Sequence, residues 1–194
     1  MRVHDYSPAL SADLLQAVAR AVSQLPDTPQ GLGVGLSGGL DSAMLAVHAA
    51  HVARHQGLNL VCFHIHHGLQ SFADDWQAHV HELARMLGVA CISRKVQVGH
   101  VGRDGLEAAA RNARYQALRE MADLAGLQHI LLAHHQDDQV ETVMLRLLRG
   151  SGPAALGAMA PLTLRDGIHY MRPWLDTPRS CIAASAETFA RLSG

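Results

Sequence analysis

Gly31-Leu32-Gly33-Val34-Gly35-Leu36-Ser37-Gly38-Gly39-Leu40-Asp41-Ser42 sets the architecture of this chain. A short apolar run at Leu32, Val34 and Leu36 stops at Ser37-Gly38-Gly39-Leu40-Asp41-Ser42, and an alanine-rich helical pattern follows at once. A strand, a glycine turn and a helix N-terminus in that order make an anion site: glycines admit close backbone N–H contacts, and the helix end adds partial positive charge. Each charge-assisted hydrogen bond there is worth roughly 1.5–3 kcal/mol. The turn lacks the Gly-Lys-Ser/Thr ending of the Walker loop, and Lys95 is the only lysine in the chain. The Gly-x-Gly-x-x-Gly spacing of dinucleotide sites is absent too.

Outward from this run, strands and helices alternate. Ser11 to Leu25 reads as an amphipathic helix closed by Pro26-Asp27-Thr28-Pro29. The first strand, Leu32–Leu36, leads through the loop into a helix from about Ser42 to His55. Leu58–Ile65 and Val89–Val96 read as strands, with a helix from Ala73 to Leu87 between them. A long helix from Leu106 to Leu124 ends at Gly126, His129–Ala133 is a fourth strand, and Gln136 to Leu148 is helical. After Pro161 the pattern weakens to a short strand at Ile168–Met171 and a helix from Pro178 to Leu192. The expectation is an α/β fold with a doubly wound, mostly parallel sheet. Residues 1–30 form a leading helix and linker, 31–175 the main domain, and 176–194 a helical tail.

The 194 residues carry 48% hydrophobic side chains and a net charge of −1, which suits a globular chain with buried strands. No run approaches the ~20 apolar residues of a membrane span. Arg2 and Asp5 precede no apolar signal core, and Cys62, Cys91 and Cys181 form no Cys-x-x-Cys, so a reducing cytoplasm is expected. Arg146, Arg149, Arg165, Arg172 and Arg179 gather in the last third, a bias that suits an RNA backbone and an ordinary solvated surface equally.

In such a sheet, ligands bind beyond the strand C-termini. Ser37–Ser42 follows strand one, His64-Ile65-His66-His67-Gly68 strand two, and His134-His135-Gln136-Asp137-Asp138 strand four, so three polar clusters describe one pocket. Asp41 suits either a Mg²⁺ held against phosphates or a helix cap. Asp138 and Glu141, three apart on one helix, would repel unless a cation, Mg²⁺ or a substrate ammonium, lies between them; acid at a helix start is the simpler account of Asp137. Glu107, Arg111 and Tyr115 recur at helical spacing, as a surface pair or as a row facing the pocket. Fourteen histidines suggest zinc, but His48, His51 and His55 have no acidic or cysteine partner nearby, and most histidines read as structural or solvated. His134, at a strand end beside the loop, is placed to donate to a phosphate oxygen or to move a proton.

Taken together, Ser37–Ser42, His66-His67-Gly68-Leu69 with Asp74 or Asp75, Glu107–Arg111 with Arg114-Tyr115, Ala133–Thr142, Leu145–Gly152, Leu156–Met159 and Arg172–Leu175 resemble the tRNA(Ile)-lysidine synthetase family. Its loop is that of the PP-loop pyrophosphatases, and the resemblance spans roughly residues 30–180. It implies a Rossmann-like nucleotide-binding fold that uses ATP and Mg²⁺ to adenylate the C2 oxygen of the wobble cytidine of tRNA(Ile). The amine of L-lysine then displaces AMP. By the same resemblance Ser37, Gly38, Gly39, Leu40, Asp41 and Ser42 bind the ATP phosphates, with Asp41 near Mg²⁺. Arg111 and His134 serve adenylation, and Asp138 with Glu141 receives the lysine ammonium. The family pattern continues with an Asp-x-Ser-Asn segment, an Arg-Asn pair and further tRNA-binding domains, none of which falls within these residues. A homodimer is compatible with the resemblance. Two rivals are a tRNA thiolase on the same scaffold, which the separated cysteines disfavour, and a nucleotide-binding module without full activity.

Overall fold

A computed structural model describes residues 10–66, 73–96, 103–148 and 158–193, except for the side chains of 73–75, 103–107 and 192–193. In chain order the elements are α1 (Ala12–Ser23), β1 (Gly31–Gly35), α2 (Leu40–Gln56), β2 (Asn59–His66), α3 (Ala73–Leu87) and β3 (Ala90–Lys95). There follow α4 (Arg103–Ala125), β4 (His129–Leu131), α5 (Gln136–Leu148), β5 (Leu162–Arg165), β6 (Ile168–Met171) and α6 (Arg179–Ser193).

The six strands form one sheet in the order β3-β2-β1-β4-β6-β5. All pairings are parallel except β5 with β6. Strand order reverses between β1 and β4, so the chain opens a crevice beyond the C-terminal ends of these two strands. Side chains alternate between two cores, as strands buried on both faces require. Leu32, Val34, Leu36, Leu60, Cys62, Leu131 and Met171 pack with α1, α2, α3 and α6. Val61, Phe63, Ile130, Leu132, Ile168 and Tyr170 pack with Tyr115, Leu118, Met121 and Ala122 of α4 on the other face. On that face β1 presents only glycine: a Cβ on Gly33 would lie 2.3 Å from the Phe63 ring, so the aromatic occupies the space beside the strand.

Two expectations need adjustment. Helix α2 begins at Leu40, not near Ser42, which moves Asp41 and Ser42 from the loop into the first helical turn. The C-terminal region holds a hairpin rather than a lone strand. Asp166 and Gly167 both have positive φ (51° and 80°), forming a two-residue turn between β5 and β6. The long helix α4 closes as expected, with Gly126 left-handed at φ 67°.

Candidate active site

Ser42 builds the loop after β1. Its Oγ–H donates to the Gly39 carbonyl at 2.9 Å, so the same oxygen accepts from the Ser37 N–H at 3.1 Å and from the Ser37 hydroxyl at 3.0 Å. Ser37 Oγ in turn accepts the Gly39 N–H at 3.3 Å. Both hydroxyls are thus spent on holding the loop in shape. Gly39 is the N-cap of α2 and no side chain caps that helix. The N–H groups of Leu40, Asp41 and Ser42 therefore point out of the helix end with no intrahelical acceptor, beside the C-terminal end of β1. Gly38 has φ 93°, and a Cβ there would lie 2.5 Å from the Trp76 ring, which stands over the loop from α3. His64 is buried and donates to the Leu36 carbonyl at 2.8 Å, pinning the loop's first residue to β2.

The crevice, about 360 Å³, is floored by Gly35, Leu36, Phe63, Leu132 and Ala133. Its polar walls are Ser37, Gly39, Asp41 and Ser42 on one side, His134, His135 and Asp138 on the other, and Arg114 from α4. Asp41 Oδ2 accepts from Arg179 Nε at 3.2 Å, while Asp41 Oδ1 is buried and has no hydrogen-bond partner. The buried His135 imidazole lies between two carboxylates, 3.7 Å from Asp41 Oδ2 and 3.5 Å from Asp138 Oδ2. Asp138 also accepts the His135 N–H at 2.9 Å, reaching back from the third helical position to cap α5. Asp137 accepts the Arg179 N–H at 3.2 Å, which ties α5 to α6.

His134 is held well below the usual imidazole range, at about 4, first by burial and then by the charges of Arg114 and Arg172, with Asp138 opposing. It is neutral near pH 7, with a buried and unpartnered Nδ1. Such a ring offers one donor and one acceptor rather than a fixed positive charge. Arg172 is itself buried; it donates to Ala160 O (2.9 Å), Thr163 Oγ1 (2.9 Å) and Tyr115 OH (3.2 Å). Burial alone would raise the Tyr115 phenol, but the Arg172 charge and hydrogen bond, with Arg111 and Arg114, bring it below its ordinary value.

The structure brings together Ser37, Gly39, Asp41, Ser42, His134 and Asp138 around the crevice; Gly38 in the loop and Leu40 at the first position of α2 are not among its lining residues. Arg111 and Glu141 lie outside its lining. Arg111 is exposed, with its guanidinium 5.8 Å from the Tyr115 ring, and the arginine that reaches the crevice from the same helix is Arg114. Glu141 is exposed: α5 presents only its first turn, and three residues advance the helix by about 4.5 Å. Sequence reasoning did not single out Arg114, His135 or Arg179 as site residues. The first two sit inside the quoted motifs, whereas nothing local marks Arg179. The Glu107 side chain, His67-Gly68-Leu69, the Asp74 and Asp75 side chains and residues 149–157 lie outside the described parts.

The cysteines are not as separate as their spacing implies. Cys62 and Cys91 are register neighbours on β2 and β3. Burial pushes the Cys62 thiol up to about 12 and the Cys91 thiol up to about 11, so both stay protonated near pH 7. No cysteine lines the crevice among the described residues, and none of the described helices is long and apolar enough to cross a membrane.

A family model of the PP-loop domain matches residues 11–190. The tRNA(Ile)-lysidine synthase of Bordetella bronchiseptica is 52% identical over 184 residues, covering 93% of this chain and 53% of that protein. That of Burkholderia pseudomallei is 43% identical over 182 residues, covering 91% and 36%. The chain thus spans about half the length, or less, of these curated relatives. Among solved structures, the U34-tRNA thiolase NcsA from Methanococcus maripaludis, which carries a 4Fe-4S cluster, superposes with a TM-score of 0.71 at 16% identity, over 92% of this chain and 63% of that one. The NH3-dependent NAD synthetase of Campylobacter jejuni gives 0.58 at 16% identity, over 95% and 73%. These two share the fold. With the match running from α1 well into α6, and the uncapped loop at the sheet's switch point, the chain belongs to the PP-loop domain family.

Proposed function

We propose that this chain is the nucleotide-binding catalytic part of a tRNA(Ile)-lysidine synthase. The observation that carries the reading is the serine-braced loop, whose free helix N–H groups face His134, Asp138 and Arg114 across the crevice. That arrangement suits a polyphosphate at the helix end and a reacting centre between β1 and β4. The relatives' printed name supplies the tRNA substrate, and L-lysine comes from the resemblance of the motifs.

In this reading the wobble cytidine O2 attacks the α-phosphorus of ATP and pyrophosphate leaves. A lysine amine then attacks C2, AMP leaves with the former O2, and the amine loses its proton. A cytosine oxygen is a poor leaving group and AMP a good one, which is what the ATP is for. The N–H groups of Leu40, Asp41 and Ser42 hold phosphate oxygens, and Arg114 stabilises the charge that develops at the α-phosphate. Arg111, the arginine assigned by the resemblance, acts from the outer rim. Neutral His134 donates to a phosphoryl oxygen or accepts a proton. Asp41 fits Mg²⁺ because its buried Oδ1 lacks a partner and a carboxylate oxygen is the donor that ion prefers. When bound, the ion would neutralise phosphate charge. Asp138, and Glu141 further along α5, receive the substrate ammonium. We read 31–175 as the catalytic unit, flanked by 1–30 and 176–194, working in the cytoplasm; a homodimer is tested by sedimentation.

The decisive experiment is pyrophosphate release from ATP with a cytidine-wobble tRNA(Ile), with single amino acids added in turn. Release with lysine-dependent formation of modified tRNA supports the reading. ATP binding without release, whatever is added, favours a binding module, and dependence on a sulfur donor favours the thiolase.

A further inference from the structure

At the pole of the sheet opposite the crevice, where the strands begin, three metal-ligating side chains converge. Asp27 comes from the turn after α1, His129 opens β4, and His169 lies on β6. Parallel pairing sets His129 directly beside His169, with the imidazoles 5.2 Å apart and only 7° from parallel. Asp27 Oδ1 lies 3.1 Å from His129 Nε2, and one donor atom from each residue falls within 4.8 Å of the others. His129 is buried, Asp27 is exposed, and Nδ1 of His169 is buried without a hydrogen-bond partner. A cavity of about 430 Å³, lined by Asp27, Gln30, Asp123 and His129, opens alongside.

We propose that Asp27, His129 and His169 bind a transition-metal ion of the Zn²⁺ class, at a site separate from the nucleotide crevice. A simple Asp–His hydrogen bond accounts for Asp27 and His129. Strand register accounts for the second imidazole beside the first, but neither accounts for its buried, unpartnered Nδ1. Two imidazoles and one carboxylate form a donor set suited to zinc, with the fourth position open to water in the cavity. Tetrahedral donors at 2.0–2.1 Å from the ion stand about 3.4 Å apart, so the three atoms close by at most about 1.4 Å. Asp27 and His129 already stand 3.1 Å apart, so the adjustment falls on the half-buried His169 imidazole, which must turn out of its parallel stack to aim a nitrogen at the ion. A bound ion would fasten the turn before β1 to the starts of β4 and β6, and would stabilise the folded chain by mass action.

The test uses untagged full chain stripped of metal, titrated with Zn²⁺ by calorimetry and with Co²⁺ by visible absorption. One ion per chain is expected, with a Kd on the order of micromolar and the strong visible bands of low-coordinate Co²⁺. Zn²⁺ should also raise the melting temperature. Asp27→Asn and His169→Ala should each weaken binding roughly tenfold or more and abolish the thermal shift. His51→Ala, which breaks the His51–His55 pair on α2 (rings 4.3 Å apart), should leave all three readouts unchanged. Circular dichroism identifies any variant that fails to fold, and Asp27→Asn, altering an exposed side chain, keeps the test open if His169→Ala does not. No binding by the wild type, or equal binding by folded Asp27→Asn, would overturn the proposal.

Discussion

Ser42→Ala tests whether the loop is braced by its own hydroxyls. Three hydrogen bonds meet at Ser42 Oγ, at 2.9, 3.0 and 3.1 Å. Each is worth about 0.5–1.5 kcal/mol net, and water replaces part of the loss at a crevice wall, so about 2 kcal/mol is expected. For a chain of this length that is a fall of about 4–8 °C in Tm. The same loss of order should weaken ATP binding by up to about thirtyfold. Trp76 reports on this directly, since it stands over Gly38 while the chain's other tryptophan, Trp174, is fully buried. Tryptophan fluorescence during ATP titration, beside thermal melts, is therefore the assay. Ser37→Ala is the internal control: it removes the 3.0 Å bond and a longer 3.3 Å one from an exposed residue, and should cost less than half as much. A Ser42→Ala variant melting within a degree of wild type, or less perturbed than Ser37→Ala, would refute the reasoning.

His134 should titrate near pH 4 by NMR, and Arg114→Gln should raise that value by removing its second-largest cause; no change would mean the guanidinium does not reach the ring. Because the folded value lies below the ordinary 6.5, His134 favours folding fully above that pH and loses this contribution as pH falls toward 4, which acid melts of wild type and His134→Gln can compare. Arg179→Ala should cost less than about 1 kcal/mol in stability, as an exposed pair does, and should lower the Mg²⁺ needed for half-maximal ATP binding by freeing Asp41 Oδ2; a higher requirement would mean that Arg179 itself holds phosphate. Asp41→Ala should weaken Mg²⁺-ATP use, whereas Glu141→Ala should spare ATP affinity and impair lysine-dependent turnover; equal losses of ATP affinity would contradict that division. Leu148, 83% exposed at the end of α5, should accept Glu with less than about 0.5 kcal/mol of destabilisation; a fall in Tm of many degrees would mean that Leu148 is covered in solution.

The order of strands and helices was readable because each β-run ends in glycine or polar residues and helices such as α1 and α3 keep an apolar period; α2, buried nearly all round, was marked instead by its alanine-rich run after the glycine turn. Gly31–Ser42 gave strand, turn and helix within twelve residues. The β5–β6 hairpin was missed although Asp166-Gly167 is a strong turn signal, because β5 is a short edge strand with half its side chains exposed. At the site, local motifs identified Ser37–Ser42, His134 and Asp138. They did not separate Arg111 from Arg114, because three residues on a helix differ by only about 60° in facing. Nor did they find Arg179, which meets Asp41 from 138 positions away and depends on how α6 packs.

Arg179 has one further implication. Its backbone N–H is bound by Asp137 and its side chain by Asp41, so a single residue at the head of α6 is fastened to the starts of both α5 and α2. A small tilt of α6 would therefore act on both walls of the cleft at once. Occupancy of the cleft would, by the same linkage, set how firmly that helix is seated.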